Sequence, residues 1–220
     1  MKQNIWMYAN EIEQKKIADS LIVFGAEIFK RAKFVKEFSM LKEVFCKLNK
    51  KEISPNDKIV IEFVIEYIID CSRVSIFFEN YMKAKLIKQD FCIHLIDKDY
   101  PNFKNLAKEQ KKRPIKLKEI SEIENFIIDK NNNSIYHKAI KETTIGFKEL
   151  TSSINYKSCY QIDDNIFSVI QEVYKYRNRL HFFGNCQFQL SNNFLSNIEL
   201  LNNFVDNSVK SITRNNNEFS

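Results

Sequence analysis

Apolar positions recur at helical spacing in four long stretches of this chain. From about Ile5 to Leu48 the repeat runs through Ile17, Leu21, Phe24, Ile28, Val35, Phe38 and Phe45, which predicts a helix with one buried side. Gly25 is placed to bend that helix or to let it pack closely. Ser54-Pro55-Asn56-Asp57 reads as a stop followed by a new start. From Lys58 to Lys88 the chain is apolar on more than one face, the pattern of a helix in the middle of a structure. The β-branched run Ile59–Ile69 has strand propensity, but its length and flanking helix formers favour a helix.

The signal weakens from Asp90 to Lys118. Asp99-Tyr100-Pro101-Asn102-Phe103 is turn-like, and the basic run Lys108–Lys118 is interrupted by Pro114. Such a run is a solvated loop or helix end, or a contact for RNA. Short helices are expected at Ser121–Ile128 and Ser134–Leu150, separated by the turn-prone Asn131-Asn132-Asn133. Asp163–Gly184 reads as a helix that stops at a glycine. A last helix is expected over Asn192–Ile212, with Phe194, Ile198, Leu201 and Val205 on one face, followed by a loose tail.

The Asp163–Gly184 stretch carries the chemistry. Ile166, Ile170, Val173 and Leu180 mark its buried side, and Ser168, Glu172, Lys175 and Arg179 its polar side. At roughly 100° per residue, Arg177 falls within the apolar stripe and His181 lies close to it. A charged group on an apolar seam needs a partner or a ligand. Arg177 either pairs with a buried carboxylate on a neighbouring helix, such as Glu79, or meets an anion together with His181. Phosphate is the first such anion to consider. One helical turn presents both groups to the same ligand, with Asn178 at the margin to orient them. Arginine can stabilise charge on phosphoryl oxygens and histidine can move protons.

Composition narrows the choices. The chain has 220 residues, 44% hydrophobic and 28% charged, enough for one domain, or one domain with an added helical layer. A net charge of +6 favours anionic partners modestly. Only three glycines occur, at 25, 146 and 184, so there is no phosphate-binding P-loop and no dinucleotide fingerprint. The five cysteines are scattered and the three histidines lie far apart. No zinc or redox motif results, and neither a metal nor a cofactor is expected. The N-terminal stretch is not a signal peptide, and no apolar run is long enough for a bilayer. The chain therefore reads as a cytoplasmic protein with reduced thiols and no membrane association.

The string Tyr-Arg-Asn-Arg-Leu-His-Phe at 176–182 resembles the C-terminal motif of HEPN domains, an all-α family of RNA-processing and defence proteins. Upstream, Phe77–Leu95 is similar to the family's earlier helix, where an acidic residue precedes a Lys-Ala-x-Leu segment. The resemblance covers about Lys58–Ile212. Here three residues separate the arginine from the histidine, against the four to six usual in the family. It implies a HEPN-like helical bundle over 53–213, with an N-terminal helical extension over 1–52 and a tail over 214–220. It implies that Arg177, Asn178 and His181 are catalytic, and that Glu79, Lys83 and Arg179 contribute to substrate binding. It further implies a metal-independent endoribonuclease, a toxin or abortive-infection (antiphage) effector. Such an enzyme would act as a homodimer, with an antitoxin or a larger defence complex as possible partners. The alternative is an inactive member of the family that binds RNA, a nucleotide or a protein.

Overall fold

The computed structural model describes residues 7–8, 11–33, 57–124, 127–129, 134–177 and 192–217, and scattered positions between 43 and 54. Helix dominates: α1 (Glu11–Phe29), α2 (Lys58–Ile87), α3 (Lys104–Gln110), α4 (Leu117–Ser121), α5 (Phe147–Ser152), α6 (Ile154–Lys157), α7 (Asp164–Arg177) and α8 (Asn192–Asn217). Among the described residues, five short strands accompany them: β1 (Met7–Tyr8), β2 (His94–Ile96), β3 (Ile127–Asp129), β4 (Ser134–Tyr136) and β5 (Ile140–Thr144). They form two small antiparallel sheets, β1-β4-β3 and β2-β5. The chain is therefore mostly helical but not purely so. No described helix is long and apolar enough to cross a membrane.

By its internal contacts the chain divides into two compact units, Met1–Ile22 with Glu79–Gln161, and Val23–Phe78 with Ile162–Ser220. All the described strands belong to the first unit.

In the second unit, α2 supplies Tyr67, Ile68, Cys71, Val74, Phe77 and Phe78, each at most 2% exposed. Rings fill the spaces between helices: Phe29 meets Phe77 at 5.7 Å, Tyr67 meets Tyr176 edge-on at 5.7 Å, and Phe78 stacks on Phe204 at 5.6 Å. Aromatic pairs of this kind add to the gain from burial alone. Asp70, 1% exposed, is neutralised by Arg73 at 2.5 Å, and Arg73 also donates to the Arg31 carbonyl.

In the first unit, α2 continues through Tyr81, Met82, Ala84, Leu86 and Ile87, all buried. It closes at Ile87 in a turn through Asp90, whose φ of 60° is left-handed. The Phe91 amide bonds the Leu86 carbonyl and the Asp90 amide bonds the Ile87 carbonyl, the closing pattern usually built on glycine. A cluster of Cys92, Ile96, Phe103, Leu106, Ala107, Ile115, Ile120, Ala139 and Ile140 forms the local core. Gln110, 4% exposed, ties α3 to β2. Its Oε1 accepts the Ile96 N–H at 2.9 Å and its Nε2 donates to the His94 carbonyl at 2.7 Å. The bonds toward β5 use the Ile93 carbonyl and the Asp97 amide region, so the glutamine satisfies the other edge of the strand.

Three expectations are corrected. The first helix, expected over about Ile5–Leu48, closes at Phe29, and Val35, Phe38 and Phe45 of its repeat lie outside the described residues. The buried side of α1 is made by Gln14, Ala18, Ile22, Gly25, Ala26 and Phe29, while Phe24 is 62% exposed. Ser121–Ile128 is not a helix: α4 ends at Ser121 and β3 begins at Ile127. Ser134–Leu150 holds β4, β5 and the first turn of α5, with Gly146 in extended conformation before Phe147.

Candidate functional site

Helix α7 begins at a cap: the Asp163 carboxylate accepts the Asn165 N–H at 2.8 Å. Asp164 in its first turn and Lys175 and Arg177 in its last complement the helix dipole. Ile166, Phe167, Val169, Ile170, Val173 and Tyr176 are buried, while Ser168 and Lys175 are exposed. Arg177 follows Ile170 and Val173 at helical spacing, on the buried side, and is itself half-buried. Its guanidinium carbon lies 5.9 Å from the centre of the half-buried Tyr174 ring, within range for a cation–π contact. The expected phase of this helix therefore holds through Arg177. Asn178, Arg179 and His181 lie outside the described residues, as does the expected end of the helix at Gly184.

Glu79 and Lys83 sit one turn apart on α2, in the first unit. Lys83 Nζ lies 2.6 Å from Glu79 Oε1 and donates to Thr144 Oγ1 on β5 at 2.8 Å. The side chains are only 10% and 20% exposed. This arrangement binds α2 to β5 and shields the lysine charge from solvent. Arg177 belongs to the second unit.

One further polar cluster was not visible in the sequence. His137, 6% exposed, accepts the Ala139 N–H at Nδ1 (3.0 Å) and faces Glu124 through Nε2 (2.9 Å). These contacts assign the proton to Nε2. Tyr100 and Asn102 also donate to Glu124. The Asn102 hydrogen bond, then those from His137 and Tyr100, hold the Glu124 carboxyl below its ordinary range. The partners come from segments spread between residues 100 and 139, so no local spacing announces them.

Among the described residues no group of three histidine, cysteine or carboxylate side chains could hold a metal ion. Burial raises the Cys71 thiol, and it pushes Cys92 up to about 12. Both groups remain protonated at neutral pH, which does not suit a nucleophile. Comparison of the chain with protein-family models, with curated proteins and with solved structures finds no match in any of the three.

Proposed function

We propose that this protein is a metal-independent endoribonuclease of HEPN type, acting in the cytoplasm as a toxin or abortive-infection effector. The observation that carries the reading is Arg177: a half-buried guanidinium on the apolar side of α7, opening the string Arg-Asn-Arg-Leu-His. The reaction needs little else. The ribose 2′-hydroxyl attacks its own neighbouring phosphorus, the bond to the 5′-oxygen of the next nucleotide breaks, and a 2′,3′-cyclic phosphate and a 5′-hydroxyl result. Arg177 stabilises charge on the phosphoryl oxygens, and His181 transfers the proton. Asn178 orients the pair, and the helical fold is of HEPN-like type.

One Arg–His pair per chain is a sparse active site. A homodimer with α7 and the residues after it facing across a two-fold axis doubles the groups, because an isologous interface presents the same patch twice. Mixing Arg177→Ala and His181→Ala chains tests this. Recovered activity shows that each cleft draws on both chains, and a fully active monomer contradicts the arrangement.

The second reading is a HEPN module that binds RNA, a nucleotide or a protein partner, such as an antitoxin, without cutting. The short Arg–His spacing favours it. Incubation of the purified chain with total RNA in EDTA separates the two readings. Cleavage supports the nuclease, and binding without cleavage supports the module.

A further inference from the structure

Helix α3 and the turn after it separate their residues by charge. Phe103, Leu106, Ala107 and Gln110 face the core of the first unit, each no more than 9% exposed. Lys104, Lys108 and Lys111 are exposed along one flank of the helix. Lys111 keeps helical backbone angles, φ −69° and ψ −17°, so the three lysines share one stripe. The bonds of Gln110 to β2 and that of the Tyr156 hydroxyl to the Gln110 carbonyl (2.6 Å) fix how this stripe is presented.

Neighbouring carboxylates are engaged elsewhere. Glu109 and Glu119 both bind Arg113, at 2.5 and 2.7 Å, and Asp97 faces Lys141 at 3.3 Å. None of the three lysines has an ion pair with a described carboxylate. Among the described residues, the three lysines thus keep their positive charge on the surface without an ion-pair partner.

We propose that the Lys104–Lys108–Lys111 face is a docking surface for the phosphate backbone of RNA; as to the occupant, this rests on the ribonuclease reading. The stripe is about 10 Å long at roughly 1.5 Å per residue, the length of about three nucleotides at roughly 3.4 Å each in a stacked strand. The apolar residues of α3 point inward, so the face offers nothing to insert into a lipid surface. Among the described residues of this face there is also no exposed aromatic ring for stacking on bases. Such a face contacts phosphates alone and positions RNA without reading its sequence.

The test is fluorescence anisotropy of the full chain with a 2′-O-methyl oligouridine, which lacks the attacking hydroxyl and cannot be cut, across a range of KCl concentrations. The triple substitution Lys104→Gln, Lys108→Gln, Lys111→Gln should reduce the magnitude of the slope of log affinity against log salt by about 2, three contacts at roughly 0.7 each. The corresponding Lys→Arg variant should keep the wild-type slope. An unchanged slope in the glutamine variant overturns the proposal. So does a loss of binding to phosphatidylserine vesicles with RNA binding intact. Cleavage of ordinary RNA is scored separately. A chain that binds through these lysines but never cuts upholds the surface and refutes the nuclease; a chain that cuts with an unchanged slope does the reverse.

Discussion

Lys83 and Glu79 form an ion pair, Nζ to Oε1 at 2.6 Å, on successive turns of α2, and both side chains are largely withdrawn from solvent. Removing one member leaves the other charge buried. Glu79→Ala should therefore cost about 3 kcal/mol, whereas replacing both residues with apolar ones should recover much of that loss. Urea denaturation of the single and double variants measures the difference. A double variant as unstable as the single one contradicts a simple charge-pair account.

Gln110 bonds the free edge of β2 in both directions. Gln110→Ala should destabilise the chain by about 2–3 kcal/mol, because a buried N–H and a buried carbonyl each lose a partner. The salt dependence of RNA binding should weaken as well if α3 loses its orientation. Thermal unfolding and anisotropy on the same sample check both effects.

Acid stability should depend on Glu119. Its hydrogen bonds to Arg113, aided by the Lys116 amide, hold its carboxyl below the ordinary value of about 4.5. A carboxyl depressed in the folded state contributes stability above its unfolded pKa and loses it as pH falls through the folded one. Glu119→Gln should therefore be less stable at neutral pH, by roughly 1 kcal/mol given the partial exposure of the pair. It should also flatten the decline in stability below about pH 4.5. Denaturation midpoints between neutral and acid pH provide the comparison, and parallel profiles would refute the assignment.

How far the sequence disclosed the fold depends on the segment. Helix α2 was legible nearly to its last residue, because thirty residues rich in large apolar side chains have few other options. The start of α8 at Asn192 and the buried Leu201 and Val205 were legible for the same reason. The strands between 127 and 144 were not. They run three to five residues each, too short for a period of two to stand out. The β-branched Ile140, Thr143 and Thr144, followed by Gly146, were the available signal. The end of α1 at Phe29 has no glycine or proline to mark it. Half of its buried side is small residues, Ala18, Gly25 and Ala26, which a search for large apolar residues passes over. The His137–Glu124 cluster depends on tertiary contacts alone. At the candidate site, the phase of α7 through Arg177 was readable from spacing; Asn178, Arg179 and His181 lie outside the described residues.

The phase of α7 yields its own prediction. Arg177→Ala should abolish cleavage and weaken RNA binding, because a charge-assisted phosphate contact is lost. Arg179→Ala, expected on the polar side, should have little effect. Single-turnover cleavage by the two variants decides. An essential Arg179 and a dispensable Arg177 would overturn the role assigned to the half-buried guanidinium.

The most direct measurement is the chemistry of the RNA ends left in EDTA by the wild-type chain and by His181→Ala. The account predicts 2′,3′-cyclic phosphate and 5′-hydroxyl ends from the wild type, with the rate falling about 10²–10⁴-fold in the folded variant. Cleavage that stops in EDTA and returns with magnesium, or that survives unchanged in His181→Ala, would contradict it.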